Sequence, residues 1–109
     1  MTKYRILLTA DAERDLEGIC DYIAEHDLPE KADHVLAKLQ KVVDGLRNSP
    51  NRGSIPKELL SLGISEYREV YFKPYRIVYR VVGKTIYVYL IADGRRNMET
   101  LLARRLLEG

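Results

Sequence analysis

The sequence holds one cysteine, Cys20, which excludes an internal disulfide and a cysteine-based metal site. A lone thiol fits a reducing cytoplasm. No apolar run approaches the ~20 residues that a membrane span requires. The opening residues Met1-Thr2-Lys3-Tyr4-Arg5 lead straight into a strand-like pattern, so no signal peptide is expected. No spacing of His, Cys, Asp or Glu suits a metal, no glycine-rich loop suits a phosphate, and no Ser-His-Asp set is present. Neither metal nor cofactor is therefore expected. Repeats, low-complexity segments and long linkers are missing too, and 109 residues are the size of one domain, read here as 1–109.

What the chain does have is unevenly placed. Its formal charge is only +2, but residues 1–66 carry nine Lys/Arg against twelve Asp/Glu, and residues 67–109 carry nine against four. Six of the eight tyrosines fall between Tyr67 and Tyr89. A basic, tyrosine-rich C-terminal part suits an anionic partner, either nucleic acid or an acidic protein segment; it also suits a solvated sheet face.

Tyr4, Ile6 and Leu8 alternate with Arg5, Leu7 and Thr9, which predicts an opening strand. Thr9 or Asp11 can cap a helix whose apolar face is Ala12, Leu16, Ile19, Cys20 and Ile23. Pro29 suits the first turn of a second helix, striped by Ala32, Val35, Leu36, Leu39, Val42, Val43 and Leu46. The breakers from Asn48 to Gly53 end it. The short break between these helices implies an antiparallel hairpin. From Tyr67 the period becomes that of strands, expected at about 67–72, 75–82 and 85–92 and joined by turns at Lys73-Pro74 and Gly83-Lys84. Asn97 can cap a last helix carrying Met98, Leu101, Leu102 and Leu106. The expected fold is α+β: an N-terminal strand, a helical hairpin packed on a small antiparallel sheet with a three-stranded meander, and a C-terminal helix. The hairpin should cover one sheet face and leave the other partly open.

Strand alternation puts Arg76, Val78 and Arg80 on one face and Ile77, Tyr79 and Val81 on the other. A guanidinium on a half-buried face needs an anion. Candidate partner- or nucleic-acid-binding residues are Tyr75, Arg76, Arg80, Arg95, Arg96, Arg104 and Arg105. Five of them have an internal alternative. Arg76 can pair with Glu69 across two strands, Arg95 and Arg96 can bond Asp93, and Arg104 and Arg105 can complement a helix C-terminus. Tyr67, Tyr79 and Tyr87 suit sheet packing, and Cys20 suits the core.

Two sets of residues carry a further resemblance. Ala12, Asp15-Leu16, Ile19 and Tyr22-Ile23, followed by Leu46, Pro50, Gly53 and Glu58-Leu59, resemble the first half of the RelE/ParE toxin superfamily. Tyr67-Arg68-Glu69, the run Pro74 to Arg80, and Asp93-Gly94-Arg95-Arg96-Asn97 with Leu101-Leu102 and Arg105-Leu106-Leu107 resemble the second. The resemblance implies the toxin of a type II toxin–antitoxin pair, cytoplasmic and held by a cognate antitoxin in a hetero-oligomer. It implies one of two targets. Ribosome-dependent endoribonucleases of the superfamily would use Arg68, Arg76 and Arg96 as phosphate ligands, with a C-terminal tyrosine or histidine for proton transfer. Here Leu101 and Leu102 occupy that region, and His26 and His34 lie on the helices. ParE-like members act on DNA gyrase without a nuclease set. The missing acid–base residue favours the ParE-like reading. A relative that only binds its antitoxin is the third possibility. Tyr71, Tyr75, Tyr87 and Tyr89 are the remaining tyrosines that could move a proton.

Overall fold

A computed structural model describes residues 3–107. Strand β1 spans Arg5–Leu8, helix α1 Ala10–His26 and helix α2 Pro29–Asp44, which tightens into a 3₁₀ turn over Gly45–Arg47. A short helix α3 (Lys57–Leu60) precedes strands β2 (Tyr67–Phe72), β3 (Tyr75–Val82) and β4 (Thr85–Asp93). Helix α4 (Met98–Leu102) continues as a wider, π-type turn through Ala103–Leu107. Thr9 caps α1 by accepting from the Ala12 N–H at 3.1 Å, and Asn97 caps α4 by accepting from Thr100.

The sheet order is β1-β4-β3-β2. The meander β2–β3–β4 is antiparallel as expected, but β1 joins it parallel to β4, so the sheet is mixed. Between Val78 and Tyr79 the β3–β4 register shifts. Tyr89 is the extra residue there, and it faces the same side as Leu90. This bulge changes the phase of β4: Ile86 and Val88 face the hairpin before it, whereas Ile91 does so after it.

Helices cover both sheet faces. On one, Ala12, Leu39, Val43 and Leu46 pack on Val70, Ile77, Tyr79, Ile86, Val88 and Ile91. On the other, Leu59, Met98 and Leu102 pack on Tyr67, Val78, Leu90 and Ala92. The second face, expected to be partly open, is sealed by α3 and α4 over Val78 and Arg76, while Tyr71 and the Arg80 end stay at least partly exposed. Cys20 is half-buried rather than a core residue.

The link between the hairpin and β2 is fixed by Tyr79. Its buried hydroxyl donates to the Pro50 carbonyl at 2.7 Å and accepts from the Gly53 N–H at 3.2 Å. A Cβ on Gly53 would lie 2.5 Å from the Glu69 carbonyl oxygen and 2.8 Å from that hydroxyl, so glycine is required. Tyr79→Phe strands both backbone groups and should cost about 1–3 kcal/mol. In urea unfolding the midpoint should fall at unchanged slope.

Candidate functional site

Arg76 is only 6% exposed, although it lies in the middle of the most basic segment. Its Nε donates to Glu69 Oε1 at 2.7 Å. Its Nη1 and Nη2 form a bidentate pair with Glu58, at 2.9 and 2.8 Å. Tyr71 donates its hydroxyl to the second oxygen of Glu69 at 2.7 Å. Glu58 is carried on α3 and Glu69 on β2, so the guanidinium pins the short helix to the sheet. Hydrogen bonding to Arg76 holds the Glu58 carboxyl below its ordinary pKa, and the same bonds raise that of Arg76. Burial, helped by the bond to Glu69, pushes the Tyr71 phenol upward. Gly94 supplies the room: a Cβ there would sit 2.8 Å from Arg76 Cδ. Every donor edge of Arg76 faces a carboxylate of its own chain, and the anion expected from the sequence is Glu69 together with Glu58, which the sequence reading did not link to it.

The other two arginines of the nuclease alternative lie elsewhere. Arg68 is opposite Tyr79 in the β2–β3 register, hence on the hairpin face, and its Nη1 donates to the Gly53 carbonyl at 2.6 Å. Arg76 is on the opposite face. Arg96 is exposed in the loop after β4. Arg68 and Arg76 therefore do not flank a common point. Arg105 is also engaged. It forms a bidentate pair with Asp15 of α1 at 2.7 and 3.0 Å and donates to the Tyr89 carbonyl at 2.8 Å, so it clamps the C-terminal turn to α1 and is no helix-end partner. Hydrogen bonding to Asp15 raises its pKa further.

Arg95 pairs with Asp93, as the sequence allows, and this bond holds the Asp93 carboxyl below its usual range. Arg80 lies 5.8 Å from the centre of the Tyr67 ring, opposite it in register. Tyr67 meets Tyr89 edge-on at 5.5 Å, while Tyr87 is tilted against Tyr89 at 6.4 Å. Arg104 is exposed. Tyr75 faces the hairpin side, where burial raises its phenol pKa.

Tyr75 and Arg96 come together in a feature that the arginine pattern did not reveal. A groove of about 670 Å³ runs between α1 and the end of β4, walled by Arg14, Gly18 and Tyr22 on one side and by Asp93, Arg95 and Arg96 on the other. A second cavity of about 420 Å³ shares Tyr22, Ile23 and Tyr75 and continues past His26 to Lys73 and Pro74. The signal in the sequence was the spacing of Arg14, Gly18, Tyr22 and His26, a stripe at i, i+4 on the polar side of α1. Among the described residues no cluster of His, Cys, Asp or Glu is arranged to hold a metal, and no helix is long and apolar enough to cross a membrane.

Two solved structures that share this architecture come from toxin–antitoxin systems. One, the chromosomal ParDE system from P. aeruginosa, superposes with a TM-score of 0.70 at 26% identity, over 84% of this chain and 96% of the other. The RelBE2 toxin–antitoxin complex from Mycobacterium tuberculosis superposes with a TM-score of 0.60 at 21% identity, over 84% and 99%, and so shares the fold. No curated protein is matched by the sequence. Residues 6–98 match the family described as the ParE toxin of the type II toxin–antitoxin system parDE. That match spans most of both sheet faces and the helical hairpin, and the chain belongs to the ParE toxin family.

Proposed function

We propose that this chain arrests growth in the cytoplasm by binding and inhibiting DNA gyrase, and that a cognate antitoxin neutralises it in a hetero-oligomer. The observation that carries the choice of target is the saturation of Arg76 by Glu58 and Glu69. A phosphate ligand must offer free donors to the substrate. Arg76 offers none, and Arg68 points to the other face of the sheet. Tyr71, bonded to the carboxylate that holds Arg76, and Tyr89 have phenol pKa values raised by burial, away from the range useful for proton transfer near neutrality. These features support binding over cleavage, and family membership supports the toxin–antitoxin setting.

The test is induced expression in a bacterial host with two parallel readouts. The gyrase reading expects an SOS response and trapped gyrase–DNA complexes with messages intact. New 5′ ends within coding sequences, without SOS, would replace it with ribosome-dependent cleavage. Unimpaired growth at verified expression of the folded chain would leave an antitoxin-binding relative without toxicity.

A further inference from the structure

A row of side chains crosses the whole sheet at its less covered end. Register sets Tyr67 of β2 opposite Arg80 of β3, Arg80 opposite Tyr87 of β4, and Tyr87 beside Leu7 of β1. All four lie on the face away from the hairpin, because their strand neighbours Ile6, Tyr79, Ile86 and Val88 point toward it. The next row toward the strand ends is Val82, Thr85 and Arg5. Packing accounts for Tyr67, which is buried with Leu59, Val78 and Leu90. It does not account for the rest. Tyr87, Leu7 and Val82 belong to neither core, and the last two are 41% and 47% exposed. Tyr89, on the same face, meets Tyr67 edge-on at 5.5 Å and Tyr87 at 6.4 Å. Three rings thus form one half-exposed strip.

The charges on this face indicate its ligand. Arg76, Arg95 and Arg105 are each held by a carboxylate of the chain. Arg80 instead lies over the Tyr67 ring at 5.8 Å, and among the described residues no ion pair engages Arg80 or Arg5. No carboxylate stands in either row. Helix α1, on the other side of the sheet, carries six carboxylates and one arginine. A polyanion is therefore repelled by the hairpin and drawn to this face. Uncommitted guanidiniums beside a strip of rings suit a strand whose bases stack and whose phosphates lie between them. A duplex keeps its base faces stacked inside, so rings on a flat sheet serve a single strand. Leu7 and Val82 flank the strip with apolar surface, which suits deoxyribose and the thymine methyl and offers nothing to a 2′-hydroxyl. We infer that this face binds single-stranded DNA, with bases stacked on Tyr87 and Tyr89 and phosphates held by Arg80 and Arg5. The inference adds a nucleic-acid contact to the gyrase reading and does not rest on it.

The test is fluorescence anisotropy of the purified full chain with a labelled oligothymidylate of about ten nucleotides. Binding should weaken with salt, log K falling by about 1.4 per tenfold rise, at about 0.7 for each of two phosphates. Arg80→Gln should halve that slope. Tyr87→Thr keeps a strand former and removes the ring, and it should weaken binding about ten-fold without changing the slope. Both variants should melt within about 3 °C of the natural chain, which separates a lost contact from a lost fold. Oligouridylate of the same length and the matching duplex should compete less well than oligothymidylate. The inference is overturned if the natural chain binds no oligothymidylate at low salt, or if both variants bind as tightly as it does. It is also overturned if the oligouridylate or the duplex competes better. Displacement by polyglutamate, with Tyr87→Thr binding normally, would give the face to an acidic protein segment and overturn it too. A chain that traps gyrase but binds no oligothymidylate refutes this inference alone. One that binds it without an SOS response refutes only the gyrase reading.

Discussion

Replacing Arg76 by alanine should cost ~3–5 kcal/mol of folding stability, most of the margin of an ordinary small domain. The loss does not come from the worth of the ion pairs themselves. It comes from leaving Glu58 and Glu69 without their cation, the latter 3% exposed. Toxicity would disappear with the fold, so loss of activity in this variant alone says nothing about catalysis. A second variant separates the two roles. Arg76→Met combined with Glu58→Leu and Glu69→Leu removes all three charges and keeps a similar volume, a change that buried triads often tolerate. Circular dichroism melting should show that variant within ~1–2 kcal/mol of the natural chain. If Arg76 only pins α3 to the sheet, the folded triple variant remains toxic. If it is folded and inert, Arg76 acts on the target and the gyrase proposal loses its main support.

The same network sets an acid limit. Glu58 has its pKa lowered in the folded chain. Its contribution is therefore complete above the unfolded value, near 4.5, and is lost as pH falls through the lower folded value. Stability measured between pH 6 and pH 3 should decline below pH 4.5, and Glu58→Gln should flatten that decline while lowering the plateau.

How far the sequence reached depends on the range of the interaction. The strands at 67–72 and 75–82 lie where alternation places them, and β4 runs one residue beyond its expected end at 92. Thr9, one of the two candidates for the first cap, and Asn97 cap α1 and α4, because a cap is decided within three residues. Glu69 was legible as a partner of Arg76, since one hairpin links them. Glu58 was not: it reaches Arg76 across 18 residues, from a four-residue helix too short to show a period. The covered second face was missed for that reason, because α3 and α4 offer only a few apolar residues each. The bulge at Tyr89 was hidden too. Residues 85–92 alternate apolar and polar only until Tyr89, after which Leu90, Ile91 and Ala92 are all buried and no alternation shows the change of phase. The parallel pairing of β1 with β4 depends on contacts about 80 residues apart, for which local pattern carries no information.

Asp15→Ala should be the second most damaging single change, at ~2–4 kcal/mol. Strand β1 ends at Leu8, and past it the exposed edge of β4 needs other partners. Asp15 accepts from the Ile91 N–H at 3.0 Å, and Arg105 donates to the Tyr89 carbonyl while holding Asp15 in place. One ion pair thus substitutes for two rungs of a missing strand. Removing Asp15 strands a backbone N–H and a guanidinium together, so Asp15→Ala and Arg105→Ala should be strongly non-additive, with a coupling of ~1–3 kcal/mol in a double-mutant cycle. This bears on the C-terminal contact surface expected from the sequence. Arg105→Glu sets a carboxylate against Asp15 and should abolish toxicity through the fold. Arg104→Glu, on the exposed neighbour, should change stability by less than about 0.5 kcal/mol. Loss of toxicity in Arg104→Glu at an unchanged melting temperature would place the target on the C-terminal turn. Full toxicity there, with Arg105→Glu inactive and unstable, would leave this turn a clamp and move the search for the target contact to the Arg80 end of the sheet.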